Sequence, residues 1–137
     1  MNRTELQTLA DVRIAEAQVL FAAGMFDGAY YLAGYAVECA LKACIAQFTN
    51  QDDFPNKEFA QECYPHSIEK LVRLAGLLGQ RDADAPHGST FESNWIALKD
   101  WSEASRYERN TEAEARTLLQ AVTHTTNGVL PWLKRRW

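Results

Sequence analysis

Tyr31-Leu32-Ala33-Gly34-Tyr35-Ala36-Val37-Glu38-Cys39-Ala40-Leu41-Lys42-Ala43 is the stretch on which the fold turns. Ala29, Ala33, Ala36, Ala40 and Ala43 recur at helical spacing and form a stripe of small residues. Val37, Leu41, Cys44 and Phe48 form a neighbouring apolar stripe. A helix that is apolar around most of its circumference is buried on several sides. Small side chains set a short interaxial distance, so the alanine stripe predicts close approach of another helix. A third stripe is polar: Tyr31, Tyr35, Glu38 and Lys42 follow one another at i, i+4, i+7 and i+11. Two readings of it stand side by side. It is a solvated face carrying an ordinary i, i+4 ion pair, or a buried network turned toward a cleft.

Working outward, a first helix is expected from Thr4 to Ala23, with Thr4 as N-cap, Gly24 as the stop, and Leu6, Ala10, Ile14, Ala17 and Phe21 on one face. The second helix starts after Asp27 and runs to about Phe48. The short Gly24–Asp27 turn makes the two a hairpin. A polar loop from Thr49 to Tyr64 contains Pro55, and a third helix follows Pro65. Its cap is Ser67, and Ile68, Leu71, Val72, Ala75 and Leu78 face inward. Gly79 to Ser89 reads as a loop, and a fourth helix spans about Phe91 to Ser105 with Phe91, Trp95 and Leu98 in register. Thr111-Glu112-Ala113-Glu114 is a capping box opening a fifth helix, whose inner face is Ala115, Leu118, Val122, Thr126 and Val129. Asn127-Gly128 and Pro131 weaken, kink or end it. No alternating apolar-polar run predicts a strand, and there is no internal repeat. The expectation is a single domain, 1–137, of the all-α class: an antiparallel four-to-five-helix up-and-down bundle.

Composition narrows the function classes. Of 137 residues, 47% are hydrophobic and 23% charged, a globular balance. The net charge of −4 gives no overall attraction for nucleic acid, so any such contact needs a local basic patch. Cys39, Cys44 and Cys63 lack a C-x-x-C spacing, which argues against a disulfide framework and a zinc knuckle. A reducing cytoplasm fits them. The start, Met1-Asn2-Arg3-Thr4-Glu5, lacks the features of a signal peptide. The apolar stretch around the second helix carries Glu38 and Lys42 and reads as a buried helix, not a membrane span. No two histidines have metal-ligand spacing, and no glycine-rich phosphate loop is present, so neither a metal nor a cofactor is expected.

Residues 31–43 resemble the signature helix of the HEPN family. Tyr64-Pro65-His66-Ser67-Ile68-Glu69-Lys70-Leu71 is similar to the family's histidine-bearing start of a middle helix. The stretch from Trp95 to Tyr107, ending in Ser105-Arg106-Tyr107, is similar to its arginine-tyrosine segment before the last helix. The three occur in the family's order. The resemblance implies a helical bundle, usually a homodimer, and partnership with a nucleotidyltransferase, often as a toxin–antitoxin or defence pair. It also implies a site: in active members, a metal-independent ribonuclease with an arginine, commonly a polar residue after it, and a histidine separated from the arginine by four to six residues. Histidine moves protons near neutral pH, and arginine holds phosphate.

In this chain Arg109-Asn110 matches the start of that motif, but Glu114 stands where the shortest spacing would put histidine. A carboxylate repels phosphate, and Glu114 already has work in the capping box. Arg81 and His87 offer the spacing literally, within an acidic loop where coincidence is the simpler account. His66 reads as structural, and His124 as partly exposed. Trp95 and Trp101 belong to the core or a dimer contact. Lys134-Arg135-Arg136 with Trp132 and Trp137 either touches nucleic acid or complements a helix end.

Three functions follow as expectations. The first is a binding module contacting nucleotide, RNA or a nucleotidyltransferase through Arg106, Tyr107, Arg109 and Asn110, with Tyr35, Glu38 and Lys42 behind them. The second is a ribonuclease using Arg81 and His87, or an altered set around Arg109 and Glu114. The third is a structural interaction protein. Homodimerisation is expected from the aromatic segment between Phe91 and Tyr107, which offers more apolar surface than a small bundle readily hides.

Overall fold

Asn2, not Thr4, opens the first helix: its side chain accepts from Glu5 N at 2.8 Å and its own N–H donates to the Glu5 carboxylate at 2.9 Å. That capping box starts α1, Arg3–Ala22, in a computed structural model that describes residues 1–48 and 67–137. Gly24 follows at φ 78°, a left-handed conformation that glycine adopts without steric cost. Met25 N closes the turn onto Leu20 O at 2.8 Å, and α2 runs Phe26–Ala46. The two pack as the expected hairpin.

The third helix is shorter than its periodicity suggested. Ser67 caps it as expected, accepting from Lys70 N at 3.3 Å, but α3 covers only Ile68–Leu74. Gly76, at φ 71°, then turns the chain. The expected loop from Gly79 to Ser89 is corrected in part: α4 occupies Leu78–Asp84. It buries no residue, so it carries no inward stripe for a sequence to reveal. Ser89 caps α5, Thr90–Leu98. The fourth expected helix does not continue to Ser105. The chain leaves α5 at Leu98, passes Trp101 and forms a 3-10 turn, Glu103–Tyr107.

Thr111 and Glu114 form the expected capping box, with bonds of 3.0 and 3.1 Å, and open α6, Glu112–Thr123. His124 ends it. Its Nδ1 accepts from Thr126 N at 3.2 Å and Asn127 N at 3.0 Å. Thr126 is therefore exposed rather than inward, and Val129 belongs to α7, Val129–Lys134. Pro131 sits in the first turn of α7, where a missing N–H costs little.

Seven α-helices and the 3-10 turn are thus present, where four to five were expected, and no strand among the described residues. The fold is all-α, a helical bundle around α2. That helix touches α1, α3, α6, α7 and the 3-10 turn. Ala29, Ala33, Ala36, Ala40 and Ala43 are all wholly buried, as the alanine stripe requires. Leu6, Ala10, Ile14 and Ala17 of α1 are buried, and so are Phe91, Trp95 and Leu98 of α5. Phe48 is corrected: it lies past the end of α2 and is 68% exposed.

Cys39 and Cys44 are buried free thiols, small core residues as expected. No described helix is long and apolar enough to cross a membrane. The expected loop from Thr49 to Tyr64, with Cys63 and His66, lies outside the described residues.

Candidate functional site

Gly34 is the reason the arginine-tyrosine segment sits where it does. A Cβ at this position would overlap the Trp101 indole, so only glycine lets the ring lie against the α2 backbone. Trp101 is 3% exposed and donates its Nε1–H to Tyr31 O at 3.1 Å. Its ring stacks on Tyr31 at 5.9 Å, and Tyr31 stacks on Tyr35 at 5.9 Å. The aromatic column pins the chain just before the 3-10 turn. Inside that turn, Ser105 is buried and its Oγ accepts from Ser102 N at 3.2 Å.

The polar stripe of α2 is therefore the buried network, not the solvated face. Glu38 is 1% exposed, and its Oε1 accepts from Lys42 Nζ at 2.8 Å. Burial, with Cys39 and Glu38 adding to it, pushes the Tyr35 phenol up to about 12. Burial also raises the Cys39 thiol to about 12 and the Cys44 thiol to about 12. Tyr31 is raised by burial first, while the Arg106 guanidinium beside it pulls the other way. Tyr31 stands beside Arg106 and stacks on Tyr35, and Glu38 and Lys42 pair further along the same stripe. Glu38 is too enclosed to meet a ligand itself.

Arg106 and Tyr107 stand on the outer side of the turn. The Arg106 guanidinium lies 4.8 Å from the Tyr107 ring centroid and 3.3 Å from the Glu103 carboxylate. Tyr107 is 78% exposed. Arg109 follows, with a side chain 96% exposed and its Nη1 3.9 Å from Asp27. Asn110 is anchored differently: its backbone N–H donates to Asp27 Oδ1 at 2.5 Å, and its buried side-chain Nδ2 has no partner. Asp27, Arg109 and Asn110 share the wall of a shallow hollow of about 430 Å³ at the α1–α2 turn.

The start of α6 adds less positive potential than its position suggests. Thr111 and Glu114 satisfy each other's backbone N–H groups, and Glu112 pairs with Arg116 at 2.6 Å. Glu114 is thus a capping residue, and the basic character here rests on the two guanidiniums.

Arg81 and His87 have different surroundings. Arg81 makes a bidentate pair with Glu69 at 2.6 and 2.8 Å and bonds Asp82 at 3.0 Å. The Glu69 carboxylate in particular holds its pKa above the ordinary arginine value. Its guanidinium also lies over the Trp95 ring at 5.4 Å. His87 is fully exposed, 3.7 Å from Glu92. A phosphate reaching Arg81 would have to compete with two carboxylates.

The basic C-terminal stretch complements its own fold. Lys134 pairs with Asp11 at 2.5 Å. Arg136 stacks on Trp132 at 3.9 Å, and both side chains bond the Asp84 carboxylate, Trp132 at 2.9 Å and Arg136 at 3.3 Å. The aromatic segment once expected to drive dimerisation is turned inward: Phe91, Trp95, Leu98 and Trp101 are buried, and only Ile96 and Tyr107 among its large apolar side chains are exposed. Sequence reasoning missed the Gly34–Trp101 contact. Its one signal was a glycine in the middle of an otherwise strong helix. Among the described residues no cluster of three or more histidine, cysteine or carboxylate side chains is placed to hold a metal. No family model, no curated protein and no solved structure matches the chain.

Proposed function

We propose that this chain is a HEPN-like binding module without ribonuclease chemistry, and that it contacts RNA or a nucleotide through Arg106, Tyr107 and Arg109. The observation that carries this reading is the exposed guanidinium–phenol pair, Arg106 over Tyr107, with the almost fully exposed Arg109 two residues on. Guanidiniums take phosphate oxygens in a bidentate fork, and an exposed phenol offers a face to a base. Stacking of that kind contributes roughly 1–3 kcal/mol per base.

The absence of cleavage follows from the chemistry of the residues present. The position five beyond Arg109 holds Glu114, whose carboxylate is engaged with Thr111 N. Arg81 is engaged by Glu69 and Asp82, and His87 extends into solvent beside Glu92. Neither set joins a free guanidinium to an imidazole.

A second reading has its own observation. Carboxylates surround the guanidiniums: Glu103 touches Arg106, Asp27 faces Arg109, and exposed Glu108 and Glu112 flank them. Such a rim limits attraction for a long polyanion, whereas exposed tyrosine and arginine are the residues enriched in protein hot spots. The ligand in this reading is a nucleotidyltransferase partner in a toxin–antitoxin or defence setting. A homodimer is compatible with both readings.

The test is binding of a labelled single-stranded RNA, read by fluorescence anisotropy at two salt concentrations, for the parent, Arg106→Ala/Arg109→Ala and Tyr107→Ala. Binding that weakens with salt and is lost in the arginine pair supports the first reading. Salt-insensitive failure of all three proteins, with a nucleotidyltransferase captured only by the parent, favours the second. Cleavage of the RNA by the parent that disappears with His87→Ala overturns both.

A further inference from the structure

We propose that the cleft between α3, α4 and α5 is a second, separate site, which takes a small organic cation with an aromatic body and a hydrogen-bond acceptor. The cleft has a volume of about 650 Å³. That lies within the range of small-molecule sites, which are mostly apolar with a few placed polar groups. Its walls are Ile68, Leu98, Trp95 and Trp101, all buried, and Ile96 at the mouth is 58% exposed.

Charge decides the class of ligand. Arg81 lines the cleft, but Glu69 and Asp82 both bind it, two carboxylates against one guanidinium. Glu92 contributes a third carboxylate, and Lys99 on the rim is the second cation. Among the described lining residues the formal charges therefore leave one uncompensated negative charge, beside the Trp95 indole, whose ring already holds a cation. Arg81 itself displays the chemistry these walls accept: a planar cation 5.4 Å from the Trp95 ring centroid, gripped by carboxylates. An anionic ligand would meet three carboxylates and a guanidinium whose strongest partners are already in place.

Trp95 supplies an independent observation. It lines the cleft, is 8% exposed, and its indole N–H is buried without a partner. A buried donor left unmade is costly, so a ligand acceptor that reaches it gains more than the same bond at the surface. An amide oxygen on the aromatic body of the ligand would serve.

The experiment uses the full chain and two matched probes, 4-(aminomethyl)benzamide and 4-carbamoylbenzoate, which share a ring and an amide and differ in the sign of their charge. Binding is followed by proton–nitrogen NMR, with the Trp95 indole resonance assigned through Trp95→Phe. The expected result is saturable binding of the amine that moves the Trp95 resonance, with the carboxylate at least about tenfold weaker. Ile96→Lys, at an exposed position, places a cation at the mouth and should weaken the amine by about tenfold with an unchanged melting curve. Glu92→Gln keeps the acceptor that Gly88 N uses at 3.0 Å while removing the charge, and should weaken the amine but not the carboxylate. Arg106→Ala/Arg109→Ala should leave amine binding unchanged, which separates this site from the RNA surface. Equal binding of the two probes, an unmoved Trp95 resonance, or indifference to Ile96→Lys would overturn the proposal.

Discussion

The seam around α2 and the stretch from Glu103 to Asn110 are built from opposite materials. Along α2, six alanines are wholly buried, Gly34 admits an indole, and even the carboxylate-bearing Glu38 is only 1% exposed. From Glu103 onward the chain holds itself by one buried serine, a few local bonds and ion pairs open to water. The first region has almost no freedom to change, because close-packed interiors register a single methylene. The second can vary its side chains at little cost to the fold. A binding surface is easiest to maintain where it is backed by the first kind of structure and made of the second. Trp101 is the joint between them.

The joint gives the largest expected effect. Trp101→Ala removes the indole from the α2 seam and should cost roughly 3–5 kcal/mol, read by urea unfolding. A loss below about 1 kcal/mol would mean that the two regions are not coupled through this ring. The reciprocal change, Gly34→Ala, should cost roughly 1–3 kcal/mol by overpacking. In a double-mutant cycle with Trp101→Phe the two losses should be less than additive, since each disturbs the same contact. Strict additivity would place the strain elsewhere.

A third test distinguishes the regions by pH. The folded Cys39 thiol has a pKa of about 12 against an ordinary value of 9.0. Both states hold the proton below pH 9, so stability there is unaffected. Above it the unfolded chain releases the proton while the folded chain keeps it, so stability falls toward pH 12. At pH 10 the loss from this thiol is about 1.4 kcal/mol. Cys39→Ala should reduce the alkaline loss by that amount without altering the pH dependence from 6 to 8. An unchanged alkaline slope would show the thiol to be accessible.

The smallest expected effect concerns the rim. Arg106→Ala/Arg109→Ala should change stability by no more than about 0.5 kcal/mol, because both side chains are exposed and their ion pairs solvated. A loss above 2 kcal/mol would make these arginines structural and remove the basis of the proposed binding surface.

Much of the interior was legible in the residues. The alanine stripe of α2, the inward face of α1 and the Thr111–Glu114 capping box all follow from local spacing, which one helix is enough to display. Elements without an apolar face were not legible. The short helix α4 buries nothing, so the acidic residues from Asp82 to Asp84 read as a loop. Helix ends set by distant partners were missed too: α5 stops at Leu98 because Trp101 leaves to dock on Gly34, a contact across the bundle. For the site, spacing placed Tyr31, Tyr35, Glu38 and Lys42 on one stripe but could not choose between water and the interior. That choice belongs to the segment packed over them. The aromatic stretch was assigned too much surface for the same reason, since its rings find their partners in α2 and α7.

The grip on Asp84 has a consequence for the order in which the chain can be assembled. α4 buries no residue fully; Leu78 packs part-buried against the core, and Arg81 and Asp84 hold the helix through charged and hydrogen-bonded contacts. The partners of Asp84 are Trp132 and Arg136. During synthesis, residues 78–84 leave the ribosome long before those partners do. The Asp84 contacts of α4 can form only after Trp132 and Arg136 have emerged, which ties that part of its seating to α7 and the residues just after it.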